Sequence, residues 1–413
     1  MKNKYLVHNI SLLVIAVLSF TTVVNAAAGT TDFSQKKIVQ SGNVFSDLSW
    51  MDIDPNVKAH WTINSHPKND NWLQIHPKST SDLNSVDYKV IISISKRSKS
   101  YVLALTKLLE VFNNQKISAL ISVININKKE NLLDEVMHYA KESNVDLVVS
   151  MGSQSEALLH KNYRNGSIPI VTSTNKDPVL LGQIESYTAP RKSNMAYTSL
   201  NVPLSIQMQY LELLKPNLKV IGLMYNKNHT AVMGTEVTPT KELLKQQGID
   251  VIDIAVTDSK TAIDTLTIRI PNALKEMQKL DPGLNNSIFW VTSSTAIFSN
   301  IETVNKYTER VPVIAGIPNA VATGENSAVI AFGVDRRTNA HQATLYAIDI
   351  LKGRKKPGNF PVGIVTPPDI SINFLVAKKI GLKIPFFYIE NATFIYDYTG
   401  QVVRDFGENL VIH

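Results

Sequence analysis

"YKVIISISKRSKSYVLALTKLLEVFNNQKISALISVIN" (88–125) alternates an apolar run, a polar loop, a segment with helical apolar spacing and a second apolar run. The two runs, "YKVIISIS" (88–95) and "ISALISVIN" (117–125), are continuous rather than alternating. A strand of that kind is buried on both faces, which belongs to a parallel sheet covered by helices. The pattern continues downstream. "KENLLDEVMHYAKES" (129–143) reads as a helix, "VDLVVSM" (145–151) as a strand, a helix follows from about Gln154, and "IPIVTS" (168–173) is a strand leading into a polar loop. Asp177-Pro178 there is a standard helix start, Asp as cap and Pro at the first helical position, and a short helix is expected after it.

The alternation then restarts. "LSIQMQYLELLKP" (204–216) is a helix, "KVIGLMYN" (219–226) a strand, "TPTKELLKQQG" (238–248) a helix with a Gly stop, and "IDVIDIAV" (249–256) a strand. "IPNALKEMQKL" (270–280) is a helix, and "SIFWVT" (287–292), "VPVIAG" (311–316) and "AVIAFG" (328–333) are strands. The fold class is therefore α/β, with two Rossmann-like lobes built on parallel sheets. The two units correspond internally. "DLVVSMGSQSEALL" (146–159) resembles "SIFWVTSSTAIFS" (287–299), and "SIPIVTSTNKDP" (167–178) resembles "RVPVIAGIPNAV" (310–321). Each is strand, small polar loop, helix start. Ligands of open α/β sheets sit beyond the carboxyl ends of strands. Two such units facing each other would enclose a cleft suited to a small polar or zwitterionic molecule.

The flanks differ. Lys2 and Lys4, the apolar stretch 12–24 and "VVNAAAG" (23–29) read as a signal peptide, with cleavage after Ala26 or Ala28. An uncleaved N-terminal anchor is the alternative. The mature protein is expected to be exported, most simply to a bacterial periplasm. Residues 29–85 form a polar extension with three of the four tryptophans, in "WMDIDP" (50–55), "WTINSHP" (61–67) and "WLQIHP" (72–77), eleven residues apart. These are short strands or turns packing onto the body, or a partner-docking surface. His60, His66 and His76 fit no zinc spacing. The tail "FFYIENATFIYDYTGQVVRDFG" (386–407) reads as strands around a Tyr-Thr-Gly turn, a hairpin.

With no cysteine, disulfides, thiolate catalysis and a lipid-modified cysteine are excluded. The formal charge of +7 is mild for 413 residues, and no interleaved aromatic-basic pattern argues for nucleic acid. No phosphate loop, dinucleotide fingerprint, nucleophile elbow or zinc-protease motif is present, and His138, His160 and His229 have no sequence sign of a nucleophile partner. Neither catalytic residues, metal ligands nor a cofactor are assigned.

From about Tyr88 to Pro385 the chain resembles the ABC-transporter substrate-binding proteins of the tryptophan/tyrosine-binding (TrpX-like) type, with a type I periplasmic binding fold. The resemblance rests on "IPIVTSTNKDPV" (168–179), "LSIQMQYLELLKPNLKVIGLMYN" (204–226), the strands around "VPVIAG" and "AFGVD", "ILKGRKKPGNFPV" (350–362) and "INFLVAKKIGLKIP" (372–385), in that order. It implies two lobes joined by three crossings, with a return near Val334 and a further crossing near Pro367. Lobe I is then 86–200 with 334–367, lobe II 201–333 with 368–390, and 391–413 the tail. It also implies a small-molecule ligand between the lobes (an amino acid, aromatic or acidic compound) and an ABC permease in the inner membrane as partner.

The chain departs from the pattern where "SKRSKS" (95–100) brings Lys96 and Arg97, and where Ile317, Pro318 and Asn319 replace an acid that would meet a ligand's amino group. These changes favour an acidic ligand over an α-amino one. The expected ligand contacts are Ser95, Ser153, Gln154, Ser155, Ser173, Thr174, Asn175, Asn226, Ser293, Ser294, Thr295, Asn319 and Asp335. Several of the loop residues are equally good caps, and Asp335 is either a hinge residue or a partner for a ligand cation. Tyr225 and Trp290 read as core. An exported sensor or interaction protein reusing the fold is the alternative function.

Overall fold

The longest apolar runs of the sequence become the innermost strands. The computed structural model describes residues 50–67 and 69–410, which fall in one compact unit. The signal-peptide reading and the extension before Trp50 lie outside the described residues. Strand β3 (Tyr88–Ile94) is flanked in parallel by β4 (Ala119–Asn125) and β5 (Leu147–Met151), and β6 (Ile170–Ser173) and β7 (Met195–Ala196) continue beyond β5. Helices α2 (Lys99–Asn114) and α11 (Arg336–Leu351) cover one face, and α3 (Glu130–Glu142) and α4 (Ser153–Tyr163) the other. Ile91 and Ile92 are both fully buried, on opposite faces, which is why the run could not alternate.

The extension belongs to this sheet. Its hairpin, β1 (Trp61–His66) and β2 (Asn69–Pro77), pairs antiparallel with itself and then with β4. Trp61 is buried in the α2 side of the core and Trp72 in the α3 side. The eleven-residue recurrence is therefore edge-strand packing, and α1 (Pro55–Lys58) closes the corner beside it.

The second sheet has the order β10-β9-β11-β12-β13-β15-β16-β17-β18. Its parallel half is β9 (Val220–Asn226), β10 (Asp250–Val256), β11 (Ser287–Val291), β12 (Val313–Ala315) and β13 (Ile330–Gly333). On one side lie α5 (Leu204–Leu214), α7 (Thr238–Gln246), α12 (Phe374–Ile380) and α13 (Phe386–Glu390); on the other lie α8 (Ala262–Leu280) and α10 (Ile301–Tyr307). Tyr225 and Trp290 are core, as expected. The tail hairpin forms, β16 (Phe394–Tyr396) against β17 (Val402–Asp405), with β18 (Glu408–Asn409) outside it. It extends the second sheet through β15 (Asp369–Asn373).

The chain passes from the first sheet to the second after β8 (Thr198–Ser199), returns at Val334 into α11, and crosses once more between β14 (Gly363–Ile364) and β15. Strands β8 and β14 pair with each other at the crossing.

Two expectations change. The segment after Asp177 is a single turn, not a helix: Asp177 Oδ1 accepts from Val179 and Leu180 N–H at 2.9 and 3.0 Å, but Gly182, at φ +67°, ends it. Helix α8 starts at Ala262, eight residues earlier than read, and runs through Pro271. Ala262, Leu266, Ile270 and Leu274 make one buried stripe through it, so packing outweighs the proline's local cost.

Where β13 passes β12, a Cβ on Gly333 would lie 2.3 Å from the Gly316 carbonyl oxygen. Backbone cannot retreat there without breaking the pairing. Gly333→Ala is expected to lower stability by about 1–3 kcal/mol, read as a fall in the urea midpoint at unchanged slope.

Candidate functional site

Parallel strands turn their carboxyl ends the same way, so the loops after β3, β5 and β6 meet the loops after β9, β11 and β12 across one cleft. Its volume is about 880 Å³. From the first lobe Ser95, Ser153, Gln154 and Thr174 reach its wall, and from the second Asn226, Ser293, Ser294 and Thr295. Both members of the internal correspondence thus face the same space.

The remaining candidates do not line it. Ser155 is fully buried beneath, its Oγ 2.9 Å from Ser93 Oγ and 3.1 Å from Ser150 Oγ, while its N–H donates to Ser95 Oγ at 2.9 Å. That hydroxyl network ties β3, β5 and α4 together under the floor. Ser173 and Asn175 are each 1% exposed and lie behind the wall. Asn319 sits exposed on the one-turn segment Pro318–Ala320, and its neighbour Ile317 takes the cleft position. The short turn after β12 points the amide outward. Asp335 lies at the return crossing: it caps α11 by accepting from Arg337 N–H at 2.8 Å, and its own N–H donates to Asp369 Oδ2 at 2.8 Å. Asp369 opens β15, so the two crossings are bracketed together. Arg97 lies over the Trp50 ring at 5.5 Å and is not part of the cleft wall.

Backbone geometry shapes the floor. Gly152, at φ +98°, precedes α4, and a Cβ there would stand 2.0 Å from Tyr101 Oη. Glycine is what lets Tyr101 lie over the β5 loop. Thr174 adopts φ +59°, and its N–H donates to Asn339 Oδ1 at 2.7 Å. Asn339 also donates to the Ser199 carbonyl at 3.1 Å, fixing the β6 loop to the crossing strand.

The electrostatics are one-sided. Lys96, Lys99, Lys128, Lys176 and Arg336 line the cleft, and no aspartate or glutamate is among the described lining residues. Burial, then the charges of Lys128 and Arg336, hold the Lys96 ammonium below the ordinary lysine value. Burial likewise pulls Arg336 down, opposed by Asp335. Lys176 is neutralised at its back by Glu236, which reaches over from the second lobe. Burial works against the Glu236 charge, but the Lys176 ammonium and donors from Ser293 outweigh it and keep the carboxyl below its usual range. Apolar wall is supplied by Tyr101, Leu181, Phe298, Ile317 and Val334.

The sequence reading missed Lys176, Arg336, Glu236 and Asn339. Lys176 stands inside the quoted loop, and its signal was its place three residues after the end of a buried strand. The other three converge only in space. Among the described residues, no cluster of three or more histidines, aspartates or glutamates is set to hold a metal ion, and no helix is long and apolar enough to cross a membrane.

Glu156, in the first turn of α4, is 1% exposed; Oε2 accepts from Gln183 Nε2 at 2.9 Å and Oε1 has no partner. Burial pushes its carboxyl up to about 7. The folded state therefore holds this proton more tightly than the unfolded chain. Its stability contribution is full below the ordinary glutamate value of 4.5 and is lost as pH rises through about 7. Glu156→Gln is expected to match wild type near pH 4 and exceed it at pH 8.5 by up to roughly 3 kcal/mol, measured as unfolding free energy against pH.

Residues 109–392, well over half of the chain, match the sequence profile of the family described as ABC transporter substrate binding protein. No curated protein sequence matches. Among solved structures, a conserved domain protein from Vibrio cholerae is 19% identical, covering 74% of this chain and 99% of its own, with a TM-score of 0.59. The ligand-free, open form of a substrate binding protein with adhesive properties from Clostridium difficile is 20% identical over 74% of this chain and 98% of its own, with a TM-score of 0.58. An ABC domain from Streptococcus pneumonia in complex with L-Trp is 19% identical over 74% of this chain and 99% of its own, also at 0.58. At these identities the likeness concerns the fold, which is that of type I periplasmic binding proteins.

Proposed function

We propose, since this chain belongs to the family of ABC transporter substrate-binding proteins, that it captures a small acidic molecule in the interlobe cleft and delivers it to an ABC permease in the inner membrane. Family members bind solutes and do not transform them. The observation that carries the ligand class is the cleft wall itself: five cationic side chains and no carboxylate. Cations crowded into a partly buried space repel one another, and an anion relieves that cost. Tyr101 and Phe298 offer flat apolar surface beside the charges, so an aromatic or aliphatic carboxylic acid fits best. A free amino acid is less suited, because no carboxylate is among the described residues lining the cleft and Glu236 behind it is already paired with Lys176.

The signal-like N-terminus supports export to the periplasm with cleavage of the leader. Binding would work by closure. Ligand contacts from both lobes exist only in the closed state, so the ligand shifts the open–closed population. The alternative of an exported sensor or interaction protein uses the same cleft. It would hand ligand-induced closure to a membrane receptor, or dock a partner through the Trp-bearing segment, of which Trp61 and Trp72 are buried in the sheet.

A thermal-shift panel tests the ligand class. Aromatic acids, dicarboxylates and phosphate are expected to raise the melting temperature, with neutral sugars and purines silent. Arg336→Ala is expected to weaken the best acid at least tenfold, roughly 1.4 kcal/mol, and added salt to weaken it further. A shift produced by a neutral sugar, with every acid silent, would contradict the proposal.

A further inference from the structure

Lys176 and Glu236 come from opposite lobes, one from the loop after β6 and the other from between β9 and β10. Their side chains are only 9% and 11% exposed. The Lys176 ammonium donates to Glu236 Oε1 and to Ser293 Oγ. The Ser293 N–H donates to Glu236 Oε2 at 2.8 Å, and its hydroxyl donates to Oε1. Asn201, at the crossing, adds Nδ2 at 3.4 Å from Oε1. One carboxylate thus collects an ammonium, a backbone N–H, a hydroxyl and an amide. That donor set would serve the carboxylate of a small molecule equally well.

Two further features bear on this. Ser294, 1% exposed, lines the cleft with a hydroxyl that has no partner. And Glu236 is carried by a π-helical turn, Met233–Val237, between Thr230–Val232 and α7. Such turns are rare, interrupt the regular hydrogen-bond ladder and often mark functional positions. The segment bearing Glu236 is the least regular part of its helix.

We propose that Lys176, Ser293 and Asn201 form a carboxylate seat, which Glu236 fills in the empty protein and which the carboxylate of a bound acid takes over. Glu236 is then an internal competitor that sets both affinity and specificity. An acid replaces every contact that Glu236 gives up. A neutral molecule pushing Glu236 aside leaves the Lys176 ammonium buried and unpaired, which is strongly disfavoured. Ser294 gains the partner it lacks. The inference rests on the acidic-ligand reading above and adds the atoms that receive the charge.

The test is calorimetric titration of succinate and phenylacetate into the wild-type protein, Glu236→Gln, Lys176→Gln and the double variant, each checked for fold by circular dichroism. Glutamine keeps the shape of Glu236 and removes its charge. Glu236→Gln is expected to bind at least one probe ten or more times more tightly than wild type, and the double variant to lose that gain relative to Lys176→Gln. Equal or weaker binding by Glu236→Gln, with wild type still binding, overturns the seat alone. A gain that persists without Lys176 also overturns it, since that is a general field effect. If none of the four proteins binds any acid, here or in the thermal panel, the acidic-ligand reading falls and the seat with it.

Discussion

A strand buried on both faces can present polar groups only at its ends. That constraint organises this molecule. Ile91 and Ile92 occupy opposite faces of the first sheet, and Phe289 and Trp290 do the same in the second. The hydroxyls and amides that follow each strand are therefore pushed to the carboxyl edge. With two such sheets joined by crossings beside that edge, the edges have little choice but to face each other. The cleft is a consequence of how the cores are built.

Charge then decides what the cleft can hold. Burial, then the charges of Lys128 and Arg336, hold the Lys96 ammonium below its ordinary value in a partly buried space. Closure of the lobes would remove water and make the repulsion worse unless an opposite charge entered. Glu236 meets part of this need from within, by pairing with Lys176 across the lobes. The crossings are tied together: Asp335 and Asp369 link two of them, and Asn339 holds the β6 loop to the third.

Most of the fold was legible because it rests on local periodicity. The strands from Tyr88 onward, their helices and the tail hairpin announce themselves by apolar runs and turn residues. Half-legible features were those with a local signal but a tertiary outcome. Asp177 is a cap, as its neighbour Pro178 suggested, yet Gly182 limits the helix to one turn. The Trp recurrence was visible, but only sheet pairing shows that Trp61 and Trp72 pack on opposite faces. Matching the two units brought Ser153 and Ser294 to one cleft wall, because equivalent loops of a repeated α/β unit occupy equivalent places. Asn319 is not on that wall, because the one-turn segment after β12 leaves it exposed and gives Ile317 the cleft position. Glu236 was illegible, since nothing in a helix interior says which distant lysine it meets.

The central claim is that the cleft takes an anion. The most direct measurement is native mass spectrometry of protein isolated from its own source, followed by denaturing extraction and identification of what is released. The account predicts a small molecule carrying at least one carboxylate or phosphate, bound one per chain and lost from Arg336→Ala. A neutral sugar or a cationic amine bound at the same stoichiometry would contradict it.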